Sequence, residues 1–171
     1  MARQVLKPPK EGKPIGMYSA GMAAGPGSLV FVAGQVAMDA EGRVVGEGDV
    51  AAQAEQVFRN LQAVLAEAAC GLKDVVKFTT FLVRNEDWAP FGEWRRREYG
   101  RLFPDGVYPP NTGMVVTALA RPELLLEIEA IAVRPARPAP GPGVRGKAAR
   151  PARRPAVAAR RPAKGRGRTR H

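Results

Sequence analysis

Apolar and polar positions alternate most clearly in Leu124-Leu125-Leu126-Glu127-Ile128-Glu129-Ala130-Ile131-Ala132-Val133. In an extended chain, residues two apart share a face. Glu127 and Glu129 then lie in line with Leu125 and Ile131, and Leu126, Ile128 and Ala130 form the opposite, apolar face. An exposed two-faced strand accounts for this pattern with no function attached. A carboxylate in an otherwise buried strand is nevertheless costly unless it is paired or hydrogen-bonded. Glu127 therefore belongs at an edge, in a polar interface or in a site.

Helical spacing is clearest from Asp49, a good N-cap, to about Ala69. There Val50, Ala54, Val57, Leu61, Val64, Leu65 and Ala68 recur at intervals of three and four. Gln53, Glu55, Gln56, Arg59 and Glu67 are expected largely on the other side, and Gly71 is expected to stop the helix. A second helix is predicted over about Ala89 to Leu102, carrying Phe91, Trp94 and Leu102. β-Branched and aromatic residues mark strands at Ser28–Gly34 and Asp74–Val83. Met17–Ala24 is a further strand candidate, and Gly25-Pro26-Gly27 turns it into Ser28–Gly34 as a hairpin. Arg43–Val45 is a short strand, and residues 1–16 lead in irregularly. Thr112 to Ala120 is predicted as a strand, with Arg121-Pro122-Glu123 turning it back into the closing strand.

Helices that follow strands, with hairpins at both ends, predict an α+β fold: a mixed sheet with both helices packed on one face. The other face stays uncovered. Its strands are too apolar to leave wet, and a patch of that size marks an interface. Oligomerisation is expected from the pattern itself.

Charge divides the chain of 171 residues, of which 45% are apolar. Residues 1–133 carry 14 Lys/Arg against 16 Asp/Glu, whereas residues 134–171 carry 13 Lys/Arg and no acid, so the net +11 resides in the end of the chain. From Pro135 onward Pro, Ala, Arg, Gly and Lys dominate. Such a segment buries too little apolar surface to offset its ordering entropy, so 1–134 is expected as the folded domain and 135–171 as a disordered basic tail. The tail has no aromatic residue for base stacking. Any nucleic-acid binding would be to phosphate, sequence-independent and steeply salt-dependent, while a solvated extension with no partner is the equal alternative. No run approaches the ~20 apolar residues of a membrane span, no secretory leader is apparent, and a soluble cytoplasmic protein is expected. Cys70 is the only cysteine and His171 the only histidine. A histidine-based triad or zinc site in the body is thereby excluded, and Cys70 reads as a small packing residue.

The chain resembles the Rid/YjgF family of reactive-intermediate deaminases over about residues 12–134. The resemblance rests on Pro14-Ile15-Gly16-Met17-Tyr18-Ser19, Leu29-Val30-Phe31-Val32-Ala33-Gly34-Gln35, Asp49-Val50-Ala51-Ala52-Gln53, Asn60-Leu61 with Val64-Leu65, Asp74-Val75-Val76-Lys77 with Thr79-Thr80-Phe81-Leu82, and above all Glu127-Ile128-Glu129-Ala130-Ile131-Ala132-Val133. It implies a chorismate-mutase-like fold and a homotrimer with the sheets as an inner barrel and clefts between subunits. It further implies hydrolysis of small imines and enamines, such as 2-iminobutanoate and 2-iminopropanoate, to ketoacids and ammonia, without metal or organic cofactor.

By the same resemblance, Glu127 falls at the cleft glutamate, Tyr18 at the tyrosine after Ile-Gly-Pro, and Gly34 at the glycine of the third strand. Ala33 stands where the family has serine, and Thr112, in Pro110-Asn111-Thr112-Gly113, where it has the carboxylate-binding arginine. The asparagine of the second helix falls at Arg95. Threonine has one hydroxyl donor and no charge, so it cannot make a bidentate charge-assisted pair. The chain resembles the subgroups that lack this arginine, with altered substrate as one expectation and a noncatalytic metabolite binder as the other. Each position also has a bland reading: Glu127 as a structural strand carboxylate, Tyr18 as core packing. Glu129 is expected outward and solvated. Arg95-Arg96-Arg97 is first a solvated helix face, with Arg95 as a replacement cation in the cleft the sharper possibility.

Overall fold

The computed structural model describes residues 3–7 and 14–136. Eight elements follow one another: β1 (Arg3–Leu6), β2 (Gly21–Ala24), β3 (Gly27–Val36), α1 (Val50–Glu67), β4 (Val75–Leu82), α2 (Trp88–Leu102), β5 (Asn111–Val115) and β6 (Leu126–Pro135). The main sheet has the order β3-β6-β4-β5, and β1 and β2 form a separate antiparallel pair. Both helices pack on one face of the main sheet, giving the expected α+β layers. The basic segment expected from residue 135 lies, from residue 137 on, outside the described residues.

Both expected hairpins are absent. β2 is shorter than the Met17–Ala24 expectation and pairs with β1, Arg3 opposite Ala24, a strand that the Lys/Pro/Gly-rich lead-in concealed. At the other end β5 stops at Val115, well short of Ala120. It runs parallel to β4, with Thr79 opposite Thr112, because α2 supplies the long crossover that parallel neighbours require. β6 does not fold back on β5. It enters between β3 and β4, antiparallel to both, where its Leu126, Ile128, Ala130 and Ala132 are buried beneath the helices. A strand with one wholly apolar face gains more from this central position than from an edge.

Asp49 caps α1 as expected, its carboxylate accepting from the backbone N–H groups of Ala51 and Ala52 at 2.9 and 3.1 Å. The buried stripe differs from the expected one. Val64 is exposed, and Phe58 and Gln53 lie fully inside. Gln53 is buried because its amide is satisfied: Nε2 donates to Glu123 O at 2.8 Å and to Gly46 O at 3.3 Å, and Oε1 accepts from the Leu125 N–H at 2.8 Å. This fixes the chain two residues before Glu127. Asn60 does the same for the end of β3, donating to Val36 O and Met38 O at 2.9 and 3.0 Å. α1 ends at Glu67, and the left-handed residue behind it is Ala69, at φ 54°, not Gly71. The aromatic core joins the two helices, with Phe58 5.1 Å from Trp94 and Trp94 stacked on Phe91 at 6.1 Å.

Candidate functional site

The uncovered face of the sheet carries the acidic half of the candidate site. Along β6 the expected alternation holds: Glu127 is half-buried, Glu129 is exposed, and their neighbours Ile128 and Ala130 are buried on the helix side. β3 breaks register between Val32 and Gln35, so Ala33 and Gly34 sit in a bulge beside the start of β6. Gln35 Nε2 donates to Ala33 O at 3.1 Å, and Ala33 offers only a methyl group to solvent. Gly34 has a specific reason to be glycine. A Cβ there would overlap the Glu127 carboxylate and lie 2.6 Å from its Cδ. The carboxylate thus leans away from β4, across the bulge, held against bare backbone.

Thr112 occupies the same face at the far edge. It lies opposite Thr79, which lies in turn opposite Glu129. Its hydroxyl accepts a hydrogen bond from Lys77 Nζ. Lys77 is half-buried, and that burial draws its pKa below the ordinary lysine value, with the Glu129 charge acting in the other direction. Gly34 and Thr112 stand on β3 and β5, the two outer strands. Three strand spacings of ~4.8 Å separate them, about 14 Å. A metabolite of a few carbon atoms cannot touch Glu127 and Thr112 of one copy together.

A second group of residues meets on the other side of β5. Asn111 and Gly113 alternate with Thr112 and point toward the helix layer, where they line a cleft of about 610 Å³ with Tyr18, Trp88, Gly92 and Arg95. Thr80 Oγ1 donates to Asn111 Oδ1 at 3.0 Å and fixes that amide. Gly113 has no room for a side chain, because the Trp88 indole fills the space a Cβ would take. Tyr18 is half-buried, and its hydroxyl accepts from the Ile15 N–H at 3.4 Å. Arg95 lies with its guanidinium 4.8 Å from the Phe91 ring and 6.0 Å from Tyr99, and its Nε is buried without a hydrogen-bond partner. It leaves the solvated face expected of Arg95-Arg96-Arg97 and turns to the cleft wall. The cleft is lined by two arginines and no carboxylate. Burial pushes the neighbouring Tyr99 hydroxyl up to about 12, against the Arg95 charge.

The structure therefore brings Tyr18 together with Arg95, and Gly34 together with Glu127. Thr112 joins neither group. Lys77, Trp88 and Asn111 were missed from sequence. Lys77 reads there as one charge in an apolar strand, and the parallel β4–β5 pairing that sets it beside Thr112 stands where the sequence predicts a hairpin of β5 with β6. Among the described residues, no group of His, Cys, Asp and Glu is placed to hold a metal ion, and no helix is long and apolar enough to cross a membrane.

Residues 9–134 match the model of the family described as Endoribonuclease L-PSP. A RutC family protein of Synechocystis is 36% identical over 136 residues, covering 79% of this chain and 99% of that protein. Protein DfrA of Myxococcus xanthus is 38% identical over 133 residues, covering 78% and 97%. Among solved structures, the Rid family protein YyfB of Yersinia pestis superposes with a TM-score of 0.70 at 33% identity, over 78% of this chain and all of that one. E. coli TdcF, solved with bound serine, superposes with a TM-score of 0.57 at 28% identity, over 77% and 99%. With the strand order, the Gly34–Glu127 fit and these matches in hand, the chain belongs to the Rid/YjgF family, the group described as Endoribonuclease L-PSP.

Proposed function

We propose that the protein is a hydrolase of small imines or enamines, acting in clefts completed between the copies of a homotrimer. The observation that carries this reading is the seating of Glu127 against Gly34, which holds a carboxylate on an open sheet face. Water adds to the carbon of the C=N bond, the C–N bond of the resulting carbinolamine breaks, and a carbonyl compound and ammonia leave. Glu127 takes the proton from the water and returns it to the departing nitrogen, ordinary general acid–base work. Tyr18 lies on the helix side of its own sheet, so it positions the substrate of a neighbouring copy.

The need for a second copy rests on two features. Phe31 and Leu29, 72% and 60% exposed, put large apolar surface on the uncovered face, where a monomer seldom leaves it. The 14 Å between the sheet's edges leaves a small ligand unable to span one chain. The serine in TdcF, an amino acid held by a relative, supports a ligand of amino-acid size. In the test, 2-iminobutanoate is generated in situ and ammonia release is compared with and without the protein, then with Glu127→Ala. Acceleration lost in the variant is the expected result, and no acceleration by the wild-type chain refutes hydrolysis of this substrate.

A second reading is favoured by Thr112 in place of a guanidinium and by the excess of 13 basic residues in 134–171. In it the trimer binds a metabolite without turnover and the basic tail holds nucleic-acid phosphate. Three tails on one particle would act multivalently. Equal salt-dependent binding of duplex DNA by the full chain and by residues 1–136 would remove that role.

A further inference from the structure

We infer that Lys77 is the cation that holds the ligand's anionic group, with the Thr112 hydroxyl orienting its ammonium. This rests on the reading above that the uncovered sheet face takes part in binding a small metabolite. Residue 112 supplies a hydroxyl and no charge, so an anion arriving there must find its cation on a neighbouring strand. Lys77 lies on the same face as Thr79 and Thr112, and its Nζ bonds the Thr112 hydroxyl. An ammonium has three N–H donors, and the threonine uses one. The other two remain for a ligand oxygen at the edge of the sheet. Half-burial keeps that charge less hydrated than a free surface lysine, which strengthens its pull on an anion. Glu129, opposite Thr79 on β6, is the carboxylate that acts on it, and its exposure leaves it screened by solvent.

Arg95 is the rival cation. Its guanidinium is stacked on Phe91 on the far side of β5 and lines the cleft with Tyr18. A lysine anchors an anion as a point charge, without the planar fork of arginine, so the site grips the anion's charge and tolerates variation in its geometry.

Calorimetric titration of the full chain tests the assignment, with 2-oxobutanoate as the anionic probe and 2-butanone as its neutral counterpart. Wild-type protein should prefer the anion, Lys77→Gln should lose roughly tenfold or more of that affinity, and Lys77→Arg should retain most of it. Equal binding by Lys77→Gln, or no preference of the wild type for the anion, overturns the proposal. Equal loss in Lys77→Gln and Lys77→Arg would make the effect one of packing and overturn it too. The wild-type chain gives a second measurement that needs no variant. Affinity for 2-oxobutanoate should fall as alkaline pH removes the ammonium proton, while that for 2-butanone stays flat, and parallel profiles refute the assignment. Keto-acid binding through Lys77 without acceleration of imine hydrolysis leaves the inference standing and removes only the hydrolase reading.

Discussion

The Glu127 carboxylate occupies the space that any side chain on Gly34 would fill. The backbone of Gly34 is not in the left-handed region, so alanine is permitted there on conformational grounds, and the atoms nearest its Cβ all belong to the Glu127 side chain. Gly34→Ala should therefore fold and displace Glu127. A shift of about 1 Å in a catalytic group can cost ~10²-fold in rate, and a loss of that order in ammonia release is expected with an unchanged far-ultraviolet circular dichroism spectrum. Full turnover in Gly34→Ala would show that the seating of Glu127 is not used.

Gln53 links the first turn of α1 to the approach to β6 through three hydrogen bonds. Gln53→Leu keeps the volume and leaves the Leu125 N–H and the Glu123 carbonyl without their partner. A buried polar group left unsatisfied costs ~1–3 kcal/mol, and urea denaturation should show a loss in that range. A change below about 0.5 kcal/mol, the usual scatter of a surface substitution, would mean that water replaces the amide.

Local patterning revealed the layers and not the wiring. α1 was legible because its cap and its apolar spacing are both local properties. The faces of β6 were legible for the same reason: alternation assigns Glu127 and Glu129 to one side whatever the partner strand. Strand order is a non-local property, and the turn at residues 121–123 suggested a hairpin that the burial of Ile128 and Ala130 overrides. Gln53 reads as outward by its polarity, although it stands three residues after Val50 and four before Val57, on the apolar stripe. The pair Lys77 and Thr112 became visible only once β5 was known to run parallel to β4.

Ala69 holds a left-handed backbone, φ 54°, behind α1, a conformation that costs an L-residue roughly 1–2 kcal/mol. Glycine takes it without that cost but brings extra freedom to the unfolded chain. Ala69→Gly should raise stability by about 0.5–1 kcal/mol, read from the midpoint of urea denaturation. A lower midpoint would mean that unfolded-chain entropy outweighs the relief of strain.

Tyr99 is buried and its hydroxyl is pushed up to about 12 from the ordinary 10.0, chiefly by burial. Between those values the unfolded chain loses this proton and the folded chain keeps it. The folded state then binds more protons than the unfolded one, so stability falls as pH rises. The contribution is complete below pH 10 and is lost on passing toward 12, roughly 2–3 kcal/mol in all. Tyr99→Phe removes the titrating group. Wild-type and Tyr99→Phe proteins should keep a constant stability difference up to about pH 10, with the variant gaining on the wild type above it. Parallel curves through pH 11 would place the Tyr99 hydroxyl in contact with water.

Glu127 and Lys77 define the last prediction, because they stand on the neighbouring strands β6 and β4 four residues out of register, and their charged groups lean to opposite edges of the sheet, toward Gly34 on β3 and Thr112 on β5. If each cleft takes its carboxylate from one copy and its ammonium from the next, two inactive chains can repair each other. Glu127→Gln retains Lys77, and Lys77→Gln retains Glu127. In a mixed cyclic trimer of either composition, one of the three clefts receives both native residues. Co-expressed and doubly tagged hybrids should therefore recover about a third of the wild-type turnover. Each variant alone should recover none. A site built within one chain predicts the opposite, since every chain in the hybrid still lacks one residue, and hybrids as inactive as their parents would place both groups in a single copy.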